Sequence, residues 1–139
     1  MISTVAVGTD GSGTADEAVR EATEIARRFG AKLVLLGAYK GSAGSSAKGN
    51  VELQWASNSS ARLRSILEQN EASIRGEGIE VEHRSDEGDP GEVLVRLAAE
   101  CEADLLVIGN KGMQRRVLGS IPNTVTHKAD CSVLVVKTT

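Results

Sequence analysis

Short apolar runs alternate with amphipathic stretches along the whole chain. Five runs are rich in β-branched residues and have the length of strands: 4–8, 32–39, 79–84, 104–109 and 132–137. In the stretches between them, apolar residues recur at spacings of three and four, which is the period of an α-helix. The resulting order, strand and helix in alternation and closed by a fifth strand, predicts an α/β fold with a parallel sheet covered by helices on both faces.

Capping signals predict where the helices begin and end. Thr14 has the spacing of a capping box, and Gly30 is placed to stop the first helix. A second helix is predicted over about 56–75, after a Gly/Ser-rich loop over 41–50. Asp89 precedes a proline at the first helical position and predicts the start of the third helix. A short fourth helix is predicted over 120–128.

The faces of two strands indicate their places in the sheet. Residues 33–36 are apolar without interruption, as in a strand buried inside a parallel sheet. In the third strand, apolar and polar residues alternate strictly, which is typical of a sheet edge or of one solvated face.

Glycine-containing turns follow the first strand (8–11) and the fourth (109–112). Ligands of open α/β sheets bind beyond the carboxyl ends of the strands, where the winding reverses. If the first and fourth strands are neighbours at that reversal, their loops face each other across one crevice. We therefore expect the chemistry of this protein there.

The fourth-strand turn and the start of the last helix suggest a phosphate site. Glycine at a strand end permits positive φ and close approach of the backbone to a ligand. A helix start at Gly119 and Ser120 offers free N–H groups and a dipole that favour an anion. Three cations lie between the glycine pairs: Lys111, Arg115 and Arg116. The alternative is two ordinary turn glycines beside a solvated run of charge.

Asp10 ends the first strand and has two interpretations. Its carboxylate can accept hydrogen bonds from an adenine amine or a ribose hydroxyl, or hold a cation on phosphates. It can equally form an Asx-turn within residues 9–12. The residues alone leave both open.

Composition narrows the class of protein. The 139 residues carry a net charge of −3 and only 2% aromatics, which argues against nucleic-acid binding. No apolar run is long enough for a membrane helix, and the first residues lack the features of a signal peptide. Two cysteines are too few for an all-cysteine zinc site or a disulfide framework. We expect one domain over 1–139 in the cytoplasm.

Four segments together resemble the universal stress protein family: 5–12, 103–112, 118–123 and 131–136. The resemblance spans the chain and is most specific from Ala103 onward. It is to the ATP-binding branch, whose motif is Gly-x2-Gly-x9-Gly-Ser/Thr. The resemblance implies a Rossmann-like, five-stranded parallel open sheet of strand order 3-2-1-4-5.

The resemblance also implies a set of nucleotide-binding residues. Thr9 and Asp10 would lie at the adenosine end, with Asp10 also near any Mg²⁺ carried by ATP, and the backbone at Ala38 would meet the adenine edge. Ribose and phosphates would be held by Gly109, Lys111, Gly112, Arg116, Gly119, Ser120 and the N–H of Ile121. Members commonly form homodimers through the last strand, here Val133, Leu134, Val135 and Val136.

One departure from the motif bears on the ligand. Residues 113–118 number six where the family pattern has nine, a difference of about one helical turn. The loop over the phosphates is therefore predicted to be shorter, so that AMP or cyclic AMP could fit as well as ATP.

Three functions are compatible with the sequence. The leading hypothesis is a non-enzymatic, nucleotide-responsive stress or regulatory protein. A slow Mg²⁺-dependent ATP hydrolase is an alternative, although the sequence shows no evident general base. The third is a dimeric scaffold with a vestigial pocket.

Overall fold

The computed structural model describes residues 1–40, 59–110 and 119–137. Within these ranges, five strands alternate with four α-helices. Their bounds, in chain order, are β1 Thr4–Gly8, α1 Gly13–Phe29, β2 Lys32–Tyr39, α2 Ser60–Arg75, β3 Val81–Glu87, α3 Pro90–Glu100, β4 Leu105–Asn110, α4 Ser120–Lys128 and β5 Ser132–Lys137.

The described strands form one parallel sheet of order β3-β2-β1-β4-β5, which confirms the predicted order. β1 lies between β2 and β4, with Val5 opposite Leu33 on one side and Leu105 on the other. The chain first winds outward through β2 and β3, then returns across β1 to β4. The winding therefore reverses between β1 and β4, so the carboxyl ends of these two strands are adjacent.

Two apolar layers, one on each face of the sheet, hold the helices. Val5 and Val7 face a layer that includes residues of α1 and α2, whereas Ala6 faces a layer that includes residues of α3 and α4. β2 alternates in the same way and is buried on both faces, as its uninterrupted apolar run predicted. β3 is an edge strand, which its alternating pattern anticipated.

The start of α1 differs from its prediction. Ser12 is the N-cap, and its Oγ accepts a hydrogen bond of 3.2 Å from the N–H of Ala15. Thr14 lies inside the first turn, so the capping-box assignment to Thr14 was wrong. The reason is local, since the turn after β1 already places a hydroxyl two residues earlier. Gly30 ends the helix in the left-handed region, at φ 64°, as predicted.

Two further predicted element boundaries differ from the structure, and one agrees with it. α2 begins at Ser60, after the cap Ser59, rather than near residue 56. The predicted loop over 41–50 and the Lys111–Gly112 turn lie outside the described residues. β3 runs from Val81 to Glu87 rather than over 79–84. α3 begins with Asp89 as cap and Pro90 at the first position, as predicted.

No helix in the described ranges is long and apolar enough to cross a membrane.

Candidate functional site

A cleft opens at the carboxyl ends of β1 and β4, beside the first turns of α1 and α4. The lining combines small, apolar and polar residues: Gly8, Asp10, Ser12, Thr14, Ala15, Ile108, Gly109, Gly119, Ile121 and Pro122. The cleft therefore lies at the reversal of winding where the sequence placed it.

The turn after β1 orients Asp10. Its Oδ1 accepts a hydrogen bond of 2.9 Å from the N–H of Ser12, which is the Asx-turn foreseen as one interpretation. Thr9 is fully buried, and its Oγ1 accepts a 3.2 Å bond from the N–H of Gly11. Asp10 is only 8% exposed but still lines the cleft. The two interpretations of Asp10 are thus compatible, because the Asx-turn fixes the carboxylate at the wall of the cleft.

Gly109 lines the opposite wall for a different reason from the expected one. It belongs to β4, pairs with Val136 and does not have positive φ. A Cβ on Gly109 would lie 3.2 Å from both Cγ2 and the carbonyl oxygen of Thr14. The missing side chain lets the first turn of α1 pack closely against β4, so the glycine at this position serves packing and not positive φ.

The start of α4 is tied to the end of β4. Oδ1 of Asn110, a fully buried residue, accepts a 2.9 Å hydrogen bond from the N–H of Gly119, the N-cap of α4. The first backbone hydrogen bond of α4 is donated by the N–H of Asn123 to the carbonyl oxygen of Gly119.

The first four N–H groups of a helix have no partner inside it. In α4 the first is occupied by Asn110, and the fourth position is Pro122, which has none. The N–H groups of Ser120 and Ile121 have no partner inside the helix.

Other predicted residues fall in three places. Ala38 is buried in β2, opposite Asp86, and does not line the cleft. Ser120 is exposed at the first position of α4, beside the lining rather than in it. Three predicted residues, Lys111, Gly112 and Arg116, lie outside the described residues.

Several lining residues escaped the sequence analysis: Ser12, Thr14, Ala15, Ile108 and Pro122. The hydroxyls of Ser12 and Thr14 directly follow the Asp-Gly turn, and this proximity was the available signal. Asn110 was taken as part of a turn, although it ends the strand.

Asp10 is the one ionisable side chain among the described lining residues. In the described part of the chain, no group of three or more His, Cys, Asp and Glu side chains could hold a metal ion. The cleft thus offers a single carboxylate on the β1 side and backbone donors on the α4 side. This arrangement suits hydrogen bonding to a small polar molecule that bears an anionic group.

Comparisons with known proteins show the family to which the chain belongs. A model of the universal stress protein family matches residues 1–137. Universal stress protein Rv1636 of Mycobacterium tuberculosis is 37% identical over 142 residues, covering 98% of this chain and 97% of the relative.

Solved structures of universal stress proteins have a similar fold. A crystal structure of a universal stress protein in complex with cAMP has a TM-score of 0.77 and 34% identity, covering 99% of this chain and 98% of the other. A universal stress protein from Archaeoglobus fulgidus in complex with dAMP has the same fold, with a TM-score of 0.69 and 24% identity over 99% of this chain and 98% of that one.

Proposed function

Because the chain belongs to the universal stress protein family, we propose that it is a stress-response or regulatory protein that binds an adenine nucleotide in the cleft between β1 and β4. The observation that carries the proposal is the presence of two chemically different groups in the lining of the cleft. One is the Asp10 carboxylate, from the turn after β1, and the other is the start of α4, at Gly119 and Ile121.

The Asp10 carboxylate and the start of α4 fit the two parts of a nucleotide. A carboxylate accepts hydrogen bonds, so Asp10 suits the ribose hydroxyls or the adenine amine and would repel phosphate. The N–H groups of Ser120 and Ile121, at the positive end of the α4 dipole, suit a phosphate. Adenosine therefore lies toward β1 and the phosphate toward α4 in the proposed complex.

Among the described residues at the start of α4, the N–H groups of Ser120 and Ile121 and the Ser120 hydroxyl can serve one phosphate group. We therefore propose a nucleotide with a single phosphate, cyclic AMP or AMP, as the preferred ligand. The universal stress protein at 34% identity was crystallised with cAMP, which supports this choice. ATP is the second candidate, with Lys111, Gly112 and Arg116 on its outer phosphates and Asp10 near a phosphate-bound Mg²⁺.

A thermal-shift panel tests the proposal. Protein freed of carried-over ligand by unfolding and refolding is melted with cyclic AMP, AMP, ADP, ATP and GTP, with and without Mg²⁺. A ligand at about 100 times its dissociation constant stabilises the native state by about 2.7 kcal/mol, which raises the melting temperature by several degrees. We expect this shift with cyclic AMP and AMP, independent of Mg²⁺. A shift confined to Mg²⁺-ATP would favour the second candidate.

Asp10→Ala serves as the site variant, and Asp16→Ala in the first turn of α1 serves as its control because Asp16 lies outside the cleft lining. Asp10→Ala is expected to reduce the ligand-induced shift, and Asp16→Ala to retain it. If no adenine nucleotide shifts the wild type, the chain is better described as a scaffold.

We propose binding without turnover. Hydrolysis of ATP needs a group that orients the attacking water, and among the described lining residues only Asp10 is ionisable. Purified wild type is expected to release no more phosphate from Mg²⁺-ATP than Asp10→Ala does. Turnover that disappears in Asp10→Ala would establish a hydrolase.

We also propose a homodimer formed through β5. This edge strand has four consecutive apolar residues, Val133, Leu134, Val135 and Val136, all of them half-buried. An exposed apolar edge is a template for pairing with another strand. A second copy of the chain, paired along β5, would cover it.

The proposed location is the cytoplasm. Both cysteines, Cys101 and Cys131, are free thiols, as in most proteins of reducing compartments. Cell fractionation with antibody detection checks this, and recovery of the protein outside the cytoplasmic fraction would contradict it.

A further inference from the structure

Asn110 joins two elements of the cleft without lining it. It is the last residue of β4 and is fully buried, and its Oδ1 accepts a hydrogen bond from the N–H of Gly119, nine residues later in the chain. Gly119 has an extended conformation, φ −65° and ψ 171°, and precedes Ser120 and Ile121, whose N–H groups have no partner inside the helix. The side chain of Asn110 therefore sets where α4 begins relative to β4.

We propose that Asn110 is the positioning residue of the phosphate subsite. Its hydrogen bond holds the N-cap of α4, and thereby aims the N–H groups of Ser120 and Ile121 into the cleft. By occupying the N–H of Gly119, it also limits the donors that α4 presents to a phosphate. This role rests on the proposed function, since it concerns the phosphate end of the proposed nucleotide.

The other end of the same strand provides a comparison. There Asp104, the residue before β4, also accepts hydrogen bonds from the backbone of another part of the chain. Its Oδ2 accepts bonds of 2.8 Å and 3.0 Å from the N–H groups of Ser3 and Thr4. Those backbone donors hold the pKa of the Asp104 carboxyl below its usual value. A carboxylate is thus used at the amino end, away from the cleft, and a neutral amide at the carboxyl end.

Charge explains why an amide suits the carboxyl end. A carboxylate at position 110 could accept the same bond from Gly119. It would also place a buried negative charge one hydrogen bond away from the helix start that receives an anion, and like charges repel strongly where solvent is excluded. Asparagine supplies the acceptor without the charge.

The test compares nucleotide with nucleoside. Isothermal titration measures the affinities of AMP, cyclic AMP and adenosine for the wild type, Asn110→Ala, Asn110→Asp and the control Asp104→Ala. In Asn110→Ala we expect the affinities for AMP and cyclic AMP to fall by about tenfold or more, because well-placed hydrogen bonds to a charged group are lost. The affinity for adenosine is expected to fall by less than about twofold. Asp104→Ala is expected to leave the ratio of AMP to adenosine affinity unchanged, even where it lowers the melting temperature.

Asn110→Asp separates position from charge. Its carboxylate keeps the acceptor, so the Gly119 amide is expected to remain protected in hydrogen exchange, whereas AMP binding falls through repulsion and adenosine binding does not. In Asn110→Ala that amide is expected to lose protection. If Asn110→Ala fails to fold, Asn110→Asp still provides the comparison between the two ligands.

Three results would overturn the inference. If Asn110→Ala lost affinity for AMP and adenosine equally, Asn110 would have only a structural role. If it lost affinity for neither ligand, Asn110 would not position the phosphate subsite. Unchanged AMP affinity in Asn110→Asp would also contradict it. A wild type that binds none of the three ligands would instead reject the proposed function, and the positioning role with it.

Discussion

At the scale of single residues, glycine in β4 serves packing. The Cβ of an alanine at Gly109 would meet the Thr14 carbonyl oxygen at 3.2 Å, and that atom belongs to the first turn of α1 and cannot rotate away. We expect Gly109→Ala to lower the free energy of unfolding by about 1 kcal/mol or more, because one of the two packed elements must shift.

Gly13→Ala is the matched control for Gly109→Ala. Gly13 is the first residue of α1, and its added Cβ would meet nothing within 4 Å. Alanine favours a helix over glycine, so this variant is expected to be at least as stable as the wild type. Thermal melts of the two variants, side by side, check the pair. Equal melting temperatures would contradict the packing role of Gly109.

The sequence located some residues of the site and missed others for a definable reason. Asp10 and Gly119 were found because each follows or begins a recognisable element, a strand or a helix. Asn110 was assigned to a turn because its role depends on a hydrogen bond to residue 119, and no local pattern encodes that bond.

At the scale of elements, a contact between side chains joins α2 to the edge strand β3. Glu71 of α2 contacts both His83 of β3 and Arg75, one turn further along its own helix. The Glu71 carboxylate is about 15% exposed. Its hydrogen bond to His83, together with Arg75, holds the pKa of Glu71 below its usual value. The folded protein therefore binds a proton at Glu71 less readily than the unfolded chain does.

The sign of the pH dependence follows from this lowered pKa. The stabilisation from Glu71 is fully present above its unfolded pKa of about 4.3 and is lost as the pH falls through the lower folded pKa. We expect Glu71→Gln to be less stable than the wild type at pH 7, and the difference to shrink as the pH falls below about 4. Urea unfolding at several pH values measures it.

Glu68→Gln is the control for the Glu71 series. Glu68 lies on the same helix, is exposed, and makes no ion pair with any of the described residues. Its substitution is expected to leave the free energy of unfolding within about 0.5 kcal/mol of the wild type. A deficit in Glu71→Gln that stays constant down to pH 3 would show that the charge of Glu71 is not the cause.

At the scale of the whole molecule, the two edges of the sheet differ in chemistry. β3 carries charged residues, and three of its ion pairs are Lys32–Glu82, Arg84–Glu82 and Arg96–Asp86. Such charges discourage pairing with a further strand. β5 instead presents the apolar residues 133–136. The molecule thus has one protected edge and one edge suited to association.

The proposed dimer is tested at these two edges. Val135→Lys introduces a charge on β5 and is expected to shift sedimenting species from dimer to monomer, because the paired edge cannot solvate it. Ser85→Lys on β3 changes the opposite edge and is expected to leave the dimer intact. Circular dichroism verifies that both variants fold.

A second measurement needs no substitution. Association of folded chains makes the melting temperature rise with protein concentration. A wild type that sediments as a monomer at all concentrations, with a constant melting temperature, would contradict the dimer.

The sequence by itself determined the class of fold. Helix and strand periods are local properties, because each amphipathic stretch must bury its apolar face. The alternation of elements along the chain and the buried position of β2 followed from them, and an edge position was one of the two interpretations of β3. The strand order that places β1 beside β4, and with it the location of the cleft, was implied by the resemblance to the family.

Tertiary structure alone decided how the cleft is built. The packing of Thr14 against Gly109 and the bond from Gly119 to Asn110 each join residues of different elements. Contacts of this kind depend on distances fixed by the assembled sheet, whereas a sequence pattern records only the preferences of neighbouring residues.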